Sequence, residues 1–418
     1  MKGLILLILF CTVGFSQATS FALYGLGEEI GNTDPASIAL GNSKFFTGNS
    51  KHISSGSPSS VWKSSLTHFT MHTGMNYLSA SSFPKQFQHN LTHFSLRFPI
   101  GNKKVISFGL QPSFRTNRLE IEGNYQYSIN NNGVDIAYNN YYFVDGGISK
   151  LFLIYSWEES SNLSFGIEYS SLFGNQFIDD RLNTYEVEID TISSGTVISE
   201  IVDGDNIYFV HPINGEMINV IKTHKYTGSE LILEGRYTTL YHEGVVRLGV
   251  NGPIQVQSED NFNDDSNYLS DAIISELSFG YHYKKSDNSG IIFETHVIPP
   301  FNLPHAVALF NIMPPCKNSI HLGTYYQITN PKFGFWNNIN LRGGVYLKRL
   351  DFSKNEYFDF GVTLGLGLEY IANTQIFDIA LRVGERESYI LQDQNENYIS
   401  LHFGIMTGEK WFIKRRRK

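Results

Sequence analysis

Hydrophobic and polar positions alternate with a period of two along most of this chain, and the rule is plainest between Tyr357 and Ile405. Phe360, Val362, Leu364, Leu366, Leu368 and Tyr370 alternate with Gly361, Thr363, Gly365, Gly367 and Glu369. Phe377, Ile379, Leu381 and Val383 then stand against Asp378, Ala380, Arg382 and Gly384. Ile399, Leu401, Phe403 and Ile405 stand against Ser400, His402 and Gly404. Successive strand side chains point to opposite faces, so each run has one apolar face and one small or polar face. Such an apolar row is stable toward lipid with the polar row turned into a lumen, which predicts a transmembrane β-barrel.

Earlier runs repeat the pattern near Leu66–Leu78, Thr92–Ile100, Val105–Arg115, Tyr141–Trp157, Leu163–Gly174, Ser229–Tyr241 and Val245–Val256. Others lie near Ile273–Tyr283, Ile291–Ile298, Ser319–Ile328 and Ile339–Leu350. With the three above they make 14 strands, although in Tyr141–Trp157 both parities carry apolar residues. The links support the count. Even-numbered ones, such as Gly101–Lys104 and His242–Gly244, are short, as periplasmic turns are. Odd ones, such as Ser79–Leu91, Thr116–Asn140 and Pro299–Asn318, are longer, with Asp351–Glu356 the exception. The longest, Asn175–Gly228, contains alternating stretches at Thr184–Asp190 and Ile198–Val202, so it should hold extra strand above the membrane.

The predicted class is therefore all-β: an antiparallel transmembrane β-barrel of about 14 strands over residues 65–406, with a long outer loop at 175–228. Residues 1–16 read as a signal peptide. Lys2 supplies the positive charge, Leu4–Phe10 the apolar core and Gly14-Phe15-Ser16 the small-residue cleavage site. Residues 17–64 are Gly-, Ser- and Asn-rich with sparse apolar positions. They fit either a periplasmic tail or a plug (hatch) folded inside the lumen. Residues 407–418 form a basic tail, read as solvated periplasmic end.

Composition changes the picture little. Mean hydropathy is −0.19, because a polar lumen cancels a lipid-facing exterior in any average. The 24 Tyr and 31 Phe suit strands and interfacial girdles, and the 37 Gly suit crowded inward positions. Cys11 lies in the signal, leaving Cys316 alone, so no disulfide framework or thiolate metal site is expected. A net charge of −8 argues against nucleic acid. The expected location is the outer membrane of a Gram-negative bacterium, with both termini periplasmic.

Inward parity collects titratable residues of both signs. They are His68, His72, His93, Arg97, Arg115, Glu168, Glu234, Arg236, Arg247, Glu276, His282, Glu294, His296, Arg342, Glu369, Asp378, Arg382 and His402. Charges in a lumen need partners, so an ion-pair network bracing the wall or holding the plug is expected, without the sign bias of a charge-selective pore. His68 and His72 would lie about 13 Å apart on a strand, too far for one metal ion. No Gly-x-Ser-x-Gly elbow or Ser/His/acid grouping suggests an enzyme, and no cofactor is expected. Apolar residues recur in outer loops: Phe301, Leu303, Val307, Leu309 and Phe310 in one, and Ile207-Tyr208-Phe209-Val210 in another. Either the loops pack on each other, or they form a groove for a hydrophobic small molecule from the outer leaflet lipid. In the second reading Phe209, Leu303, Val307, Leu309 and Phe310 make first contact.

Three stretches carry a family resemblance: Tyr24-Gly25-Leu26-Gly27 through Ser57-Pro58-Ser59-Ser60, Asp145-Gly146-Gly147-Ile148 leading to Leu163–Gly174, and Asn340–Leu350 with the two runs after it. From about Tyr24 to Phe412 the chain resembles the FadL-type outer-membrane family of long-chain fatty-acid transporters. Ser57 and Ser59 stand where that family's plug has Asn and Ala around its Pro. The resemblance implies a 14-stranded barrel whose N-terminal hatch, here with Gly25, Gly27, Gly41 and Pro58, shifts so that hydrophobic ligands leave sideways through the wall. Two alternatives remain: a secretion-accessory or scaffold barrel that docks a partner protein, and a polar-solute porin.

Overall fold

The computed structural model describes residues 28–409 except 31–33, 49–51, 81–82, 123–125, 130–134, 192, 194–195, 204–205, 261–265, 270–272, 287, 299–315, 330–335, 353–354, 371–373 and 389–394. Fourteen antiparallel strands close into a barrel. They are β1 (Thr67–Ala80), β2 (Phe83–Gly101), β3 (Lys104–Glu122), β4 (Asp135–Ser160), β5 (Leu163–Asp190), β6 (Asn206–Thr238) and β7 (His242–Asn251). The circuit continues with β8 (Ile273–Ser286), β9 (Ser289–Ile298), β10 (Cys316–Thr329), β11 (Trp336–Phe352), β12 (Asn355–Tyr370), β13 (Gln375–Ser388) and β14 (Asn395–Glu409). Each pairs with the next, and β14 returns to β1 in unbroken register from Glu409↔Thr67 to Glu396↔Ala80. Each expected run overlaps one of these strands, but Val245–Val256 runs past the end of β7 at Asn251, and Val256 lies on a separate short strand, Gln255–Asp260, paired with β6.

The parity is also as expected. Leu364 is 57% exposed and Val362 45%, whereas Thr363 and Glu369 between and beyond them are fully buried. The first pair faces lipid and the second the lumen. At the end with short turns, exposed Tyr155, Tyr237, Tyr241, Tyr281 and Tyr326 occupy the place of an interfacial girdle. Among the described residues, no helix is long and apolar enough to cross a membrane.

The longest odd link, Asn175–Gly228, holds the extra strand expected of it, and Ser79–Leu91 holds strand that was not expected. Much of Ser79–Leu91 and of Asn175–Gly228 is strand, not loop. β1 and β2 stay paired out to Ala80↔Phe83. β5 and β6 stay paired from Leu163↔Tyr237 to Asp190↔Phe209. At 28 and 33 residues these two strands far exceed the roughly 9–11 that cross a bilayer. Above the membrane neither face must be apolar, so the alternation fades while the backbone ladder continues.

Inside the ring lies the N-terminal segment. Glu28–Glu29 is a short strand, Pro35–Ile38 forms helix α1 with Asp34 as its N-cap, and Pro58–Lys63 is a 3₁₀ turn. Its apolar residues pack on the wall in separate patches. Leu40, Phe45 and Phe46 cluster with Val245, Ile292 and Tyr325. Ile53 and Val61 cluster with Val105, Phe152 and Ile154, and Ile38 with Ala39 and Ala380. Burying each large side chain stabilises the packed state by about 1.5–3 kcal/mol.

Inward glycines of the wall make room for this segment. A Cβ at Gly166 would overlap Pro58, one at Gly280 would overlap Phe45, and one at Gly344 would overlap the Gly41 nitrogen. Gly41 itself has φ +70 and sits against the Leu322 and Val345 carbonyls, so it needs both its conformation and its missing side chain. A Gly344→Val barrel should therefore lose about 1–3 kcal/mol of stability in urea titrations. Gly343→Val should be nearly neutral, since a Cβ there meets only ordinary contacts, Leu364 at 3.6 Å and the Thr363 carbonyl at 3.8 Å. Equal losses would mean that the segment does not rest on this wall.

Candidate functional site

Among the described residues, the barrel wall parts between β2 and β3. The β2–β3 ladder runs from Gly101↔Lys104 to Phe94↔Leu110 and, among the described residues, goes no further. Beyond it, β2 pairs only with β1 and β3 only with β4 and the N-terminal segment. Local sequence explains the parting. Thr92 is an extra residue in β2, where the register with β1 shifts between His72 and Thr73. In β3, Pro112 brings no N–H to the ladder, and the register with β4 shifts at Pro112/Phe114 and again at Thr116/Leu119. Opposite these shifts, Gly146 and Gly147 adopt φ +123 and +147, which bends β4.

The N-terminal segment lines the freed edge. Glu28 and Glu29 pair with Arg115 and Phe114, and the Ile30 N–H donates to the Ser113 carbonyl (2.8 Å). The Glu28 side chain reaches across to Arg386 on β13 (2.5 Å), where Glu396 and Asp359 also converge. This short strand is thereby tied to both sides of the lumen. Inward from it lies a cavity of about 80 Å³, bordered by Ile30, Gln111 and Ser113 on the gap side and by charged residues of β4–β8 on the other.

Deeper in, the inward charges of the wall bind the segment's backbone. Glu294 accepts from the N–H groups of Lys44 (2.7 Å) and Phe45 (3.1 Å) and from the Ser43 hydroxyl. Glu234 accepts from the Ser59 N–H (3.1 Å) and from the Ser57 and Ser59 hydroxyls. Arginines take the carbonyls: Arg97 donates to Ile53, Arg236 to Phe45, Arg247 to Gly56 and Arg342 to Thr47. Each wall charge thus satisfies backbone groups that would otherwise be buried without partners.

A further contact joins side chains only. His52 lies between Asp34 (3.4 Å) and Asp378 (3.1 Å), and Arg342 holds the far side of Asp378 (2.6 Å). Burial opposes a charge on His52, but Asp378 and Asp34 outweigh it and push its pKa up to about 9. Burial likewise opposes charge on Asp34, yet the His52 cation and the Ser55 N–H hold its carboxyl well below the usual carboxylate range.

Of the residues singled out in the sequence, Gly41 and Pro58 lie in this packed segment. Gly25, Gly27, Leu303, Val307, Leu309 and Phe310 lie outside the described residues. Phe209 pairs with Asp190 at the end of β6, roughly 50 Å of extended chain beyond Tyr226, and is not brought to the gap. Among the described residues no group of three or more metal-ligating side chains converges, and His72 stacks on His93 (centroids 4.9 Å apart). Glu28–Ile30, Lys44, Lys150 and Glu230 were not anticipated. Glu230 shares parity with Glu234 and was legible in principle. Lys150 shares its inward parity with the apolar Ile148, Phe152 and Ile154, which hid that face.

A sequence profile of the BamG family matches residues 2–418. The chain belongs to the BamG family. No curated protein matches it. Among solved structures, this BamG-family barrel is similar to the toluene transporter TodX of Pseudomonas putida (TM-score 0.51, 12% identity, covering 93% of this chain and 100% of TodX). A TodX deltaS2S3 mutant, a monoaromatic hydrocarbon channel, aligns with TM-score 0.53 and 12% identity over 93% of this chain and 100% of that one. CymD, also a monoaromatic hydrocarbon channel, aligns with TM-score 0.50 and 11% identity over 94% and 100%. The architecture is thus the FadL-type outer-membrane barrel that the sequence resembled.

The His52 clamp gives a pH signature. Its folded pKa lies above the ordinary 6.5, so its stabilisation is full below about pH 6.5 and is lost as pH rises through about 9. The difference in unfolding free energy between wild type and His52→Gln should be about 3 kcal/mol at pH 6 and should shrink toward zero near pH 10. A difference independent of pH would show that His52 is not held as a cation.

Proposed function

We propose that this BamG-family barrel is an outer-membrane channel for small hydrophobic molecules, of the size of monoaromatics to long-chain fatty acids. Residues 17–64 act as its plug, and Glu28–Ile30 act as the gate at the wall gap. The observation that carries this reading is the ending of the β2–β3 ladder at Phe94↔Leu110, with the N-terminal strand occupying the freed edge. A lateral opening suits an apolar solute, which leaves for lipid without crossing water. A polar-solute porin needs an open aqueous lumen, and here the lumen holds the packed segment. The similar folds named as toluene transporter and monoaromatic hydrocarbon channel support the same solute class. Under this reading Leu303, Val307, Leu309, Phe310 and Phe209 are the outer capture surface, and Gly25, Gly27, Gly41 and Pro58 let the plug thread the lumen.

A second reading, docking of a partner protein, draws on the overhanging β5–β6 sheet, where Ile213, Met217 and Ile218 are exposed. A partner that co-purifies with wild type and is lost from Met217→Asp would favour it.

The test of the channel is a reversible lock. Glu28 and Arg115 are directly opposed, within reach of a disulfide. In Glu28→Cys/Arg115→Cys, oxidation should cut uptake of a fluorescent apolar probe by cells at least tenfold, and reduction should restore it. Uptake that ignores the redox state would remove Glu28–Ile30 from the path.

A further inference from the structure

The chamber behind the gap is built for charge, although the molecules proposed to pass it are apolar. Its lining includes Lys44, Lys150 and Arg247 on the cationic side and Glu168, Glu230 and Glu276 on the anionic side. Lys150 sits between Glu168 (2.8 Å) and Glu230 (3.1 Å). Lys44 meets Glu276 at 3.1 Å, and Arg247 approaches the same carboxylate at 3.7 Å. The two signs are equal in number and interleaved around a void of about 80 Å³.

That arrangement discriminates between solutes. A plain hydrocarbon would desolvate six charges and return no interaction to any of them. A purely anionic or cationic head would pair with one sign and strip partners from the other, leaving buried charge uncompensated. A head carrying both an ammonium and an anionic oxygen exchanges partner for partner. Its anion takes Lys150 and Lys44 while its ammonium takes Glu230 and Glu276. The apolar lining is confined to Ile30, Phe152 and Ile232, and Ile30 lies at the gap itself. Farther out along the same strands, Phe114, Ile148, Leu172 and Tyr226 pack on each other in a buried apolar cluster. An apolar tail attached to the head therefore leaves through the β2–β3 gap.

We propose that this chamber binds the zwitterionic head of an amphiphile, with its tail directed through the wall gap into the membrane. The proposal rests on the lateral-gap reading of the function and names the solute class for that site. Lys150 and Glu230 are the residues that make the distinction, because they pair with each other in the chamber lining (3.1 Å) and are not among the wall charges that bind the plug's backbone.

Native mass spectrometry of the purified full-length barrel with equimolar phosphatidylethanolamine, phosphatidylglycerol and long-chain fatty acid tests it, with free phosphoethanolamine in a parallel sample. Wild type should retain phosphatidylethanolamine at least fivefold over either anionic lipid. Lys150→Gln and Glu230→Gln should each lose that preference while keeping wild-type heat-modifiable mobility on gels, which reports an intact barrel. Retention of free phosphoethanolamine alone would support the head site and assign it to a soluble zwitterion. Preference for the fatty acid, or a zwitterion preference unchanged in both variants, would overturn the proposal. The redox lock reports on the gap separately: with the lock effective and no zwitterion bound, the channel reading stands and this one falls. With the lock without effect, the channel reading falls as well.

Discussion

Charge buried in the lumen must be matched, and nearly everything inside this barrel follows from that constraint. The wall turns carboxylates, guanidinium groups and imidazoles inward, and Glu294, Glu369 and Arg97 among them are almost wholly shielded from solvent. Left facing one another, they would pair imperfectly and at high desolvation cost. The N-terminal segment supplies what is missing. Its N–H groups and hydroxyls go to Glu294 and Glu234, its carbonyls to four arginines, and His52 neutralises Asp378 against Arg342. Wall and segment are therefore one folded unit, with shape complementarity supplied by wall glycines such as Gly166, Gly280 and Gly344.

The same bookkeeping of backbone groups explains the wall gap. Two strands that separate expose edges, and an exposed edge inside a membrane protein is costly unless covered. Pro112 removes one donor from β3, and Glu28–Ile30 cover part of the remainder. The gap is a sequence-encoded break, made by the Thr92 bulge on one strand and by Pro112 and the register shifts on either side of Arg115–Thr116, which face Gly147 and Gly146, on the other. The cover is a short strand, held by its pairing with Phe114 and Arg115, by the Ile30 N–H and by the Glu28–Arg386 ion pair.

The fold was legible because period-two alternation is strict wherever a strand has lipid on one side and lumen on the other. Runs such as Phe360–Tyr370 state it outright. It faded in the overhanging parts of β5 and β6, where no lipid enforces an apolar face, so that only Thr184–Asp190 and Ile198–Val202 read as extra strand within a long link. The inward charges were legible as a set, but their partners were not, since a carboxylate that caps backbone N–H groups leaves no trace in the pattern of side chains. Lys150 was hidden because its inward neighbours Ile148, Phe152 and Ile154 are apolar, and Glu28–Glu29 is too short to show any period. The loop residues Leu303–Phe310 stood out only by composition, which marks an apolar segment without placing it.

Amide hydrogen exchange along β2 and β3 tests the central claim most directly. Between Phe94 and Gly101 the β2 amides should be as protected as those of β12 and β13. Every second amide of 83–93 and of 116–122, those turned toward the gap, should exchange orders of magnitude faster, with Ile30 intermediate through its bond to Ser113. Uniform protection along both strands would mean that the wall is closed, and the account of a lateral path guarded by the N-terminal strand would be wrong.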